Sequence, residues 1–274
     1  MAMQINRLSK ALGAEVLGVD LNKELSAQTA EDIKQAILEH HLLVVREQPV
    51  EPPDHRRFCE LFGEIQPQRV AAELQPKDQI GMMFVGNSRE DAILRDGEMW
   101  FHSDQCYFET PNKFTSLQAI TVTRSGGNTR FANCRKAYEA LPEDTKDMLD
   151  GLRGMNCYDY NDRNMHKKTA PRDPDSPRYV HPIVRTHPDT GKKSLYVNRL
   201  ITDYIVDMDE DESRSLLERL FDHIESERFV YEHNWRVGDV SIWDNRCLLH
   251  GRTDFDPAEP RLLRRFCVIG DIPY

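Results

Sequence analysis

Apolar residues follow two periods along the chain, and the switches between them mark the elements. Over residues 29–41, Ile33, Ala36 and Ile37 form a stripe of helical period, with Thr29 placed as N-cap and Asp32 three residues on. Leu42-Leu-Val-Val-Arg46 follows as an apolar run and predicts a short buried strand. A second helix is expected from Asp54 to Phe62, introduced by Pro52-Pro53 and stopped at Gly63. Residues 135–152 and 209–226 also predict helices, the second with Leu216, Leu217, Leu220 and Ile224 on one side. Strands are expected at 115–123 and from Leu262 to Ile269. Between residue 180 and that last strand come short strands separated by turns at His187-Pro-Asp-Thr-Gly191 and Val237-Gly-Asp239. Residues 65–101 and 156–180 are irregular, as binding or lid loops often are. The pattern is that of a mainly β fold with flanking helices, a sandwich or barrel, read as one domain over residues 1–274.

Composition narrows the function classes. The 274 residues are 39% hydrophobic and 30% charged, ordinary for a globular protein with one large core. No apolar run approaches the ~20 residues that cross a bilayer. The start, Met1-Ala-Met-Gln-Ile-Asn-Arg7, lacks the apolar core of a signal peptide, so a cytoplasmic protein without a membrane partner is expected. The six cysteines include no CxxC pair, which argues against a structural zinc site or a disulfide framework. A net charge of −10 without a long basic run argues against nucleic acid as a partner. Against that acidic background, Arg261, Arg264 and Arg265 form a local cluster that needs its own explanation.

The chemistry-bearing candidates begin with Phe101-His102-Ser103-Asp104. On an extended strand, residues two apart point to the same face, so His102 and Asp104 could ligate one metal; imidazole nitrogen and carboxylate oxygen suit iron(II). A hydrogen-bonded structural pair is the alternative. Two other His-x-acid triplets lack the geometry: His187-Pro-Asp189 reads as a turn, and His223-Ile-Glu225 lies in a predicted helix, where residues two apart diverge. A second histidine ligand would be His250, which follows Ile242-Trp-Asp-Asn-Arg-Cys-Leu-Leu249. If 261–269 is a strand, Arg261, Leu263, Arg265 and Cys267 share one face and Arg264 lies on the other. Turned inward, the two arginines need anionic partners; on a solvated edge strand they would pair with surface acids.

These residues together resemble the taurine/2,4-dichlorophenoxyacetate dioxygenase family. The resemblance runs over nearly the whole chain through Gly13-Ala-Glu-Val-Leu-Gly18, Phe62-Gly-Glu64, Phe101-His-Ser-Asp104, Ser125-Gly-Gly-Asn-Thr129, Ala137-Tyr-Glu-Ala-Leu141, His181-Pro-Ile-Val-Arg-Thr-His-Pro188, Gly238-Asp-Val-Ser-Ile-Trp-Asp-Asn-Arg246, His250 and Arg261-Leu-Leu-Arg-Arg265. It implies a double-stranded β-helix, or jelly roll, with iron(II) held by His102, Asp104 and His250. It also implies that Thr129 and Arg261 bind the distal carboxylate of 2-oxoglutarate, and that Arg265 receives an anionic group of the primary substrate. Dioxygen is the further cosubstrate. The carboxylate at Asp104 implies hydroxylation, since halogenating relatives carry a small residue there.

One position departs from the taurine-type pattern. Where those members carry a substrate-binding histidine after the Phe-Gly-Glu segment, this chain has Gln68, a neutral amide that hydrogen-bonds but carries no charge. Taurine is therefore disfavoured. With Met82, Met83, Phe84, Tyr158 and Tyr160 as candidate pocket residues, a bulkier small organic anion is expected, an aryloxyalkanoate or an alkyl sulfate. Family members are often dimers or tetramers, so a homo-oligomer is expected. Two other functions use parts of the same pattern. A zinc-dependent hydrolase would need the metal ligands but neither the inward arginines nor Thr129. A non-enzymatic jelly-roll module that binds an anion would need no open metal site.

Overall fold

In a computed structural model the described residues are 3–67, 79–159 and 175–274. Among them the chain forms β1 (Gln4–Arg7), β2 (Ala14–Leu17), α1 (Ala27–His40), β3 (Leu42–Val45), α2 (Pro52–Glu60), β4 (Met83–Gly86), β5 (Met99–His102), β6 (Asn112–Thr121) and β7 (Thr129–Asn133). There follow α3 (Cys134–Glu139), α4 (Glu143–Leu149), β8 (Arg153–Cys157), β9 (Arg178–Pro182), β10 (Val184–Thr186), β11 (Lys193–Leu195) and β12 (Thr202–Ile205). The last elements are α5 (Glu210–Ile224), β13 (Val230–His233), β14 (Val240–Asp244), β15 (Leu248–Arg252) and β16 (Leu262–Ile269).

The helices keep the predicted faces but shift at their ends. Helix α1 starts two residues before the expected span because Ser26, not Thr29, caps it; the Ser26 hydroxyl accepts the Thr29 N–H at 3.1 Å. Its buried face is Ile33, Ala36 and Ile37, as the stripe predicts. Helix α2 begins on the proline pair itself, where a missing N–H costs nothing. The single helix expected over 135–152 is two helices, α3 and α4. Pro142 lies between them: it lacks a donor and disfavours helical geometry at Leu141. Helix α5 is capped by Asp209, which accepts from the backbone of Asp211 and Glu212.

Two sheets carry the site. The larger has strand order β1-β2-β3-β14-β6-β16-β4, antiparallel except where β2 meets β3. The smaller has order β13-β7-β15-β5 and is antiparallel throughout. Alternation along the strands sorts their side chains into layers. Leu42, Leu117 and Leu263 of the larger sheet meet Phe131 and Leu248 of the smaller in one core. Leu43, Ile242 and Phe266 point the other way, under Ile33 and Ile37 of α1 and Phe58 of α2. On the far side of the smaller sheet, Ala132 and Leu249 pack under Leu216 and Leu220 of α5. Each fully buried Leu or Phe contributes roughly 1.5–3 kcal/mol, so a one-residue slip of register would be severely unfavourable.

Strand β16 is interior, hydrogen-bonded to β6 on one side and β4 on the other, and buried along nearly its whole length. The solvated-edge alternative for its arginines is thereby removed. Arg264 points to the helix side, where it donates to Val50 O at 2.6 Å, to His55 Nδ1 at 3.3 Å and to the Gln118 side chain. It is a structural cation held by neutral acceptors. Arg265, one residue on, points between the sheets.

Candidate metal and cosubstrate site

His102 is the last residue of β5, and its partner across the ladder is His250 on β15. That pairing sets the two rings side by side, tilted at 47° with centroids 4.1 Å apart. Asp104 is not on the strand. It opens a turn just beyond it, and Gln105 follows at φ 58°. The carboxylate therefore meets His102 because the chain turns, rather than through strand periodicity. His102 Nε2 lies 3.9 Å from Asp104 Oδ1, and His250 Nε2 lies 3.9 Å from Asp104 Oδ2. One ligand atom from each residue falls within 4.8 Å of the others. These spacings lie beyond hydrogen bonding, and the three groups leave a gap between them.

Their orientation is set from behind. His102 Nδ1 faces Trp100 O at 2.9 Å, so the proton of the neutral ring sits there and the Nε2 lone pair is left for a metal. Asp104 is held by a relay of donors. Trp243 Nε1 donates to Asn245 Oδ1 at 2.9 Å, Asn245 Nδ2 donates to Thr115 Oγ1 at 2.9 Å, and the Thr115 hydroxyl donates to Asp104 Oδ2. Arg265 completes the cage with an ion pair to Asp104 Oδ1 at 2.6 Å. Burial pushes the Asp104 carboxyl up, but the Arg265 guanidinium, helped by the Thr115 hydroxyl, outweighs it and holds it well below the usual carboxylate range. Burial holds His102 below its ordinary value and His250 well below, so both rings are neutral donors at neutral pH.

Arg261 stands just before β16, 2% exposed, with Nε donating to Gly127 O at 3.1 Å and Nη1 without a partner among the described residues. Burial, reinforced by Arg252, drags its guanidinium down to about 9. The physical content is that a lone cation is disfavoured there and an anion would be favoured. The backbone of the Gly126-Gly127 turn makes this placement: Gly127 has φ +65°, and a Cβ there would lie 3.0 Å from Arg261 Nε. Arg252 is satisfied differently, by the carbonyls of Leu94, Asp96 and Gly97. Thr129, first residue of β7, is buried, lines the same cavity, and accepts the Trp235 indole N–H at 3.0 Å.

His102, His250, Thr129, Arg261 and Arg265 thus line one cavity between the sheets, with Asp104 in contact with Arg265. Gln68 and Tyr160 lie outside the described residues. Met82 and Phe84 do not line it; they pack on the helix side of the larger sheet, with α2. Met83 shares the inward face of β4 with Val85, and Tyr158 stacks edge-on against Tyr107 at 4.9 Å. Sequence reasoning gave no role to Thr115, Asn245, Trp243 or Arg252. The Trp-Asp-Asn-Arg run was a visible signal for two of them, but an isolated Thr in a strand carries none.

Comparisons with known proteins show the family. The family described as "Taurine catabolism dioxygenase TauD, TfdA family" matches residues 4–267, and the chain belongs to it. The chain is 32% identical to the alpha-ketoglutarate-dependent 2,4-dichlorophenoxyacetate dioxygenase of Cupriavidus pinatubonensis, over 99% of each chain. It is also 32% identical to the (S)-phenoxypropionate/alpha-ketoglutarate-dioxygenase of Sphingobium herbicidovorans, over 98% of this chain and 96% of that one. Among solved structures, AAD-2 in complex with Mn(II) and N-oxalylglycine is similar with a TM-score of 0.81 and 29% identity, covering 100% of this chain and 99% of that one.

Proposed function

We propose that this 2-oxoglutarate-dependent dioxygenase hydroxylates a small organic anion, with His102, Asp104 and His250 holding iron(II). The reaction class follows from the family and its relatives. The residue roles rest on one observation: a buried set of two neutral imidazoles and an ionised carboxylate opens onto the same cavity as Arg261, a buried guanidinium with an unpartnered nitrogen. The donor set suits iron(II), and it leaves metal positions open. Bound iron(II) with 2-oxoglutarate and dioxygen supplies the oxidising chemistry, delivering oxygen to a substrate carbon as the keto acid leaves as succinate and carbon dioxide.

The protein's own part is binding, orientation and exclusion of water. Arg261 and the Thr129 hydroxyl receive the distal carboxylate of 2-oxoglutarate. The Thr115–Asn245–Trp243 relay holds Asp104 in one rotamer. Arg265 receives the anionic end of the primary substrate, exchanging one carboxylate partner for a second shared one. Tyr107 lies close enough to Asp104 and Arg265 to feel both charges, and with Tyr158 it offers an aromatic wall to a ring-bearing substrate. An aryloxyalkanoate is the first candidate, because the relatives named above carry 2,4-dichlorophenoxyacetate and phenoxypropionate in their names, and an alkyl sulfate or sulfonate is next. Hydroxylation of the carbon beside the ether or ester oxygen gives a product that fragments at that bond. We read the two facing sheets as the double-stranded β-helix that carries such sites, and the working enzyme as a homo-oligomer.

Anaerobic addition of iron(II) and 2-oxoglutarate to the full chain tests the assignment. A visible charge-transfer band is expected. Arg261→Ala is expected to raise the 2-oxoglutarate concentration for half-saturation by about 10–100-fold, the loss of a charged hydrogen-bonded partner. Absence of the band in metal-replete protein would defeat the reading and favour a zinc hydrolase or a binding module. A panel scored for succinate release then ranks the substrates, with phenoxyalkanoates expected ahead of taurine.

A further inference from the structure

A second cavity, about 180 Å³, lies where β1, the end of α1 and the β7–α3 junction meet, and it shares no lining residue with the cavity of the metal site. In a chain of net charge −10, its wall is cationic: Arg7, Lys10, Arg135 and Lys136 all line it, with Glu39 the single carboxylate. Glu39 accepts from Arg7 at 3.3 Å, and Glu139 stands behind Arg135 at 3.2 Å. Four cations against these two carboxylates leave an excess of two positive charges.

The donors facing the cavity are not used up. Arg135 Nε faces Glu139 at 3.2 Å, but without hydrogen-bond geometry. His41, only 4% exposed on the cavity wall, has an Nδ1 without a partner. Burial lowers the Lys136 ammonium, Arg7 and Arg135 lower it further, and Glu139 offsets them only in part. The wall is also built firmly. Ser9 Oγ accepts from the backbone of Ala11 and Leu12, Asn133 Nδ2 donates to Ala11 O at 2.9 Å, and the Lys136 ammonium donates to Lys10 O. Arg7 and Lys10 are exposed and solvated at the rim, whereas Arg135, Lys136 and the buried His41 are drawn further from water, and an oxyanion entering the cavity would accept from them.

We propose that this cavity is a binding site for a phosphate-type dianion, free or as the monoester of a small molecule. Two excess charges match a dianion better than a lone carboxylate. The planar Arg135 fork and the flexible Lys10 and Lys136 supply the donors that three phosphoryl oxygens accept. The site stands apart from the oxidative chemistry, so this ligand is neither cosubstrate nor substrate.

Calorimetric titration of the full chain at fixed ionic strength tests it, with inorganic phosphate and glycerol phosphate as separate probes. Saturable binding of at least one probe is expected. Arg135→Gln should weaken it about tenfold or more. Lys10→Gln, at an exposed rim position, weakens it by a smaller factor and keeps the test valid if the first variant folds poorly. Arg261→Ala should leave it unchanged, which separates this cavity from anion binding near the metal and from the assignment made there. Tighter binding of the monoester identifies an organic phosphate as ligand, and equal or weaker binding identifies free phosphate. No saturable heat with either probe, equal affinities in the wild type and both cavity variants, or loss of binding in Arg261→Ala would overturn the proposal.

Discussion

Two buried clusters in this protein look alike on paper and differ in what they can do. His102, Asp104 and His250 bring one ligand atom each within 4.8 Å, and so do His187, Asp244 and Cys247. In the second cluster every lone pair is spoken for. His187 Nε2 lies 2.9 Å from Asp244 Oδ2, and Arg246 grips both Asp244 oxygens through Nε at 2.8 Å and Nη2 at 2.7 Å. Burial, then Asp244, pushes the Cys247 thiol well up, so no thiolate is on offer. In the first cluster the imidazole nitrogens stand 3.9 Å from the carboxylate, too far to be satisfied by it. Proximity of ligand types is therefore not a metal site. What separates the two is whether the donors still have lone pairs to give.

The comparison breaks most sharply under substitution of the ligands themselves. His250→Ala or Asp104→Ala is expected to abolish iron binding and turnover while the chain still folds, as read by metal analysis and circular dichroism. Retained stoichiometric iron in both variants would sink the assignment. Asp244→Ala should do the reverse. It takes the buried carboxylate from His187 and leaves Arg246 with the outer partner Asp189, at a cost of roughly 3–5 kcal/mol in chemical denaturation, while the folded fraction keeps one iron per chain. Iron lost from well-folded Asp244→Ala would move the metal to the second cluster.

Acid should reach two buried histidines before it reaches the sheets that hold them. Burial lowers His41 and His181 to about 4, below the ~6.5 of an unfolded chain. Between those values the unfolded state binds more protons, so stability falls as pH drops from ~6.5 towards 4, by a few kcal/mol in all. A denaturation midpoint flat across that window would contradict it. The smallest effect sharpens the orientation argument. Thr115→Val removes the donor to Asp104 Oδ2 with little change in volume, and iron affinity should weaken about 10–100-fold. Unchanged affinity would make the Trp243–Asn245–Thr115 relay structural only.

Much of the fold was legible in local pattern. The stripe Ile33–Ala36–Ile37, the apolar run at Leu42–Val45 and the face of α5 are all buried where periodicity puts them. The misplaced boundaries have local causes as well. A Ser three residues upstream outcompeted Thr29 as cap, and Pro142 divided a pattern that apolar spacing alone runs together. Arg261 and Arg265 do line one cavity, but Arg261 stands just before the strand rather than on its face, and the burial of both followed from β16 being interior, a property of strand order.

The chain's own order of residues thus determined which side chains are able to carry metal chemistry, where strands and helices run, and which face of each is apolar, because those depend on contacts within a few residues. Only the tertiary structure decided that His250 lies opposite His102, that Thr115 reaches Asp104, and that Asp244 is closed off by Arg246. Each of these pairs elements through sheet register or a turn, and register is fixed by the packing of the whole core rather than by any local pattern.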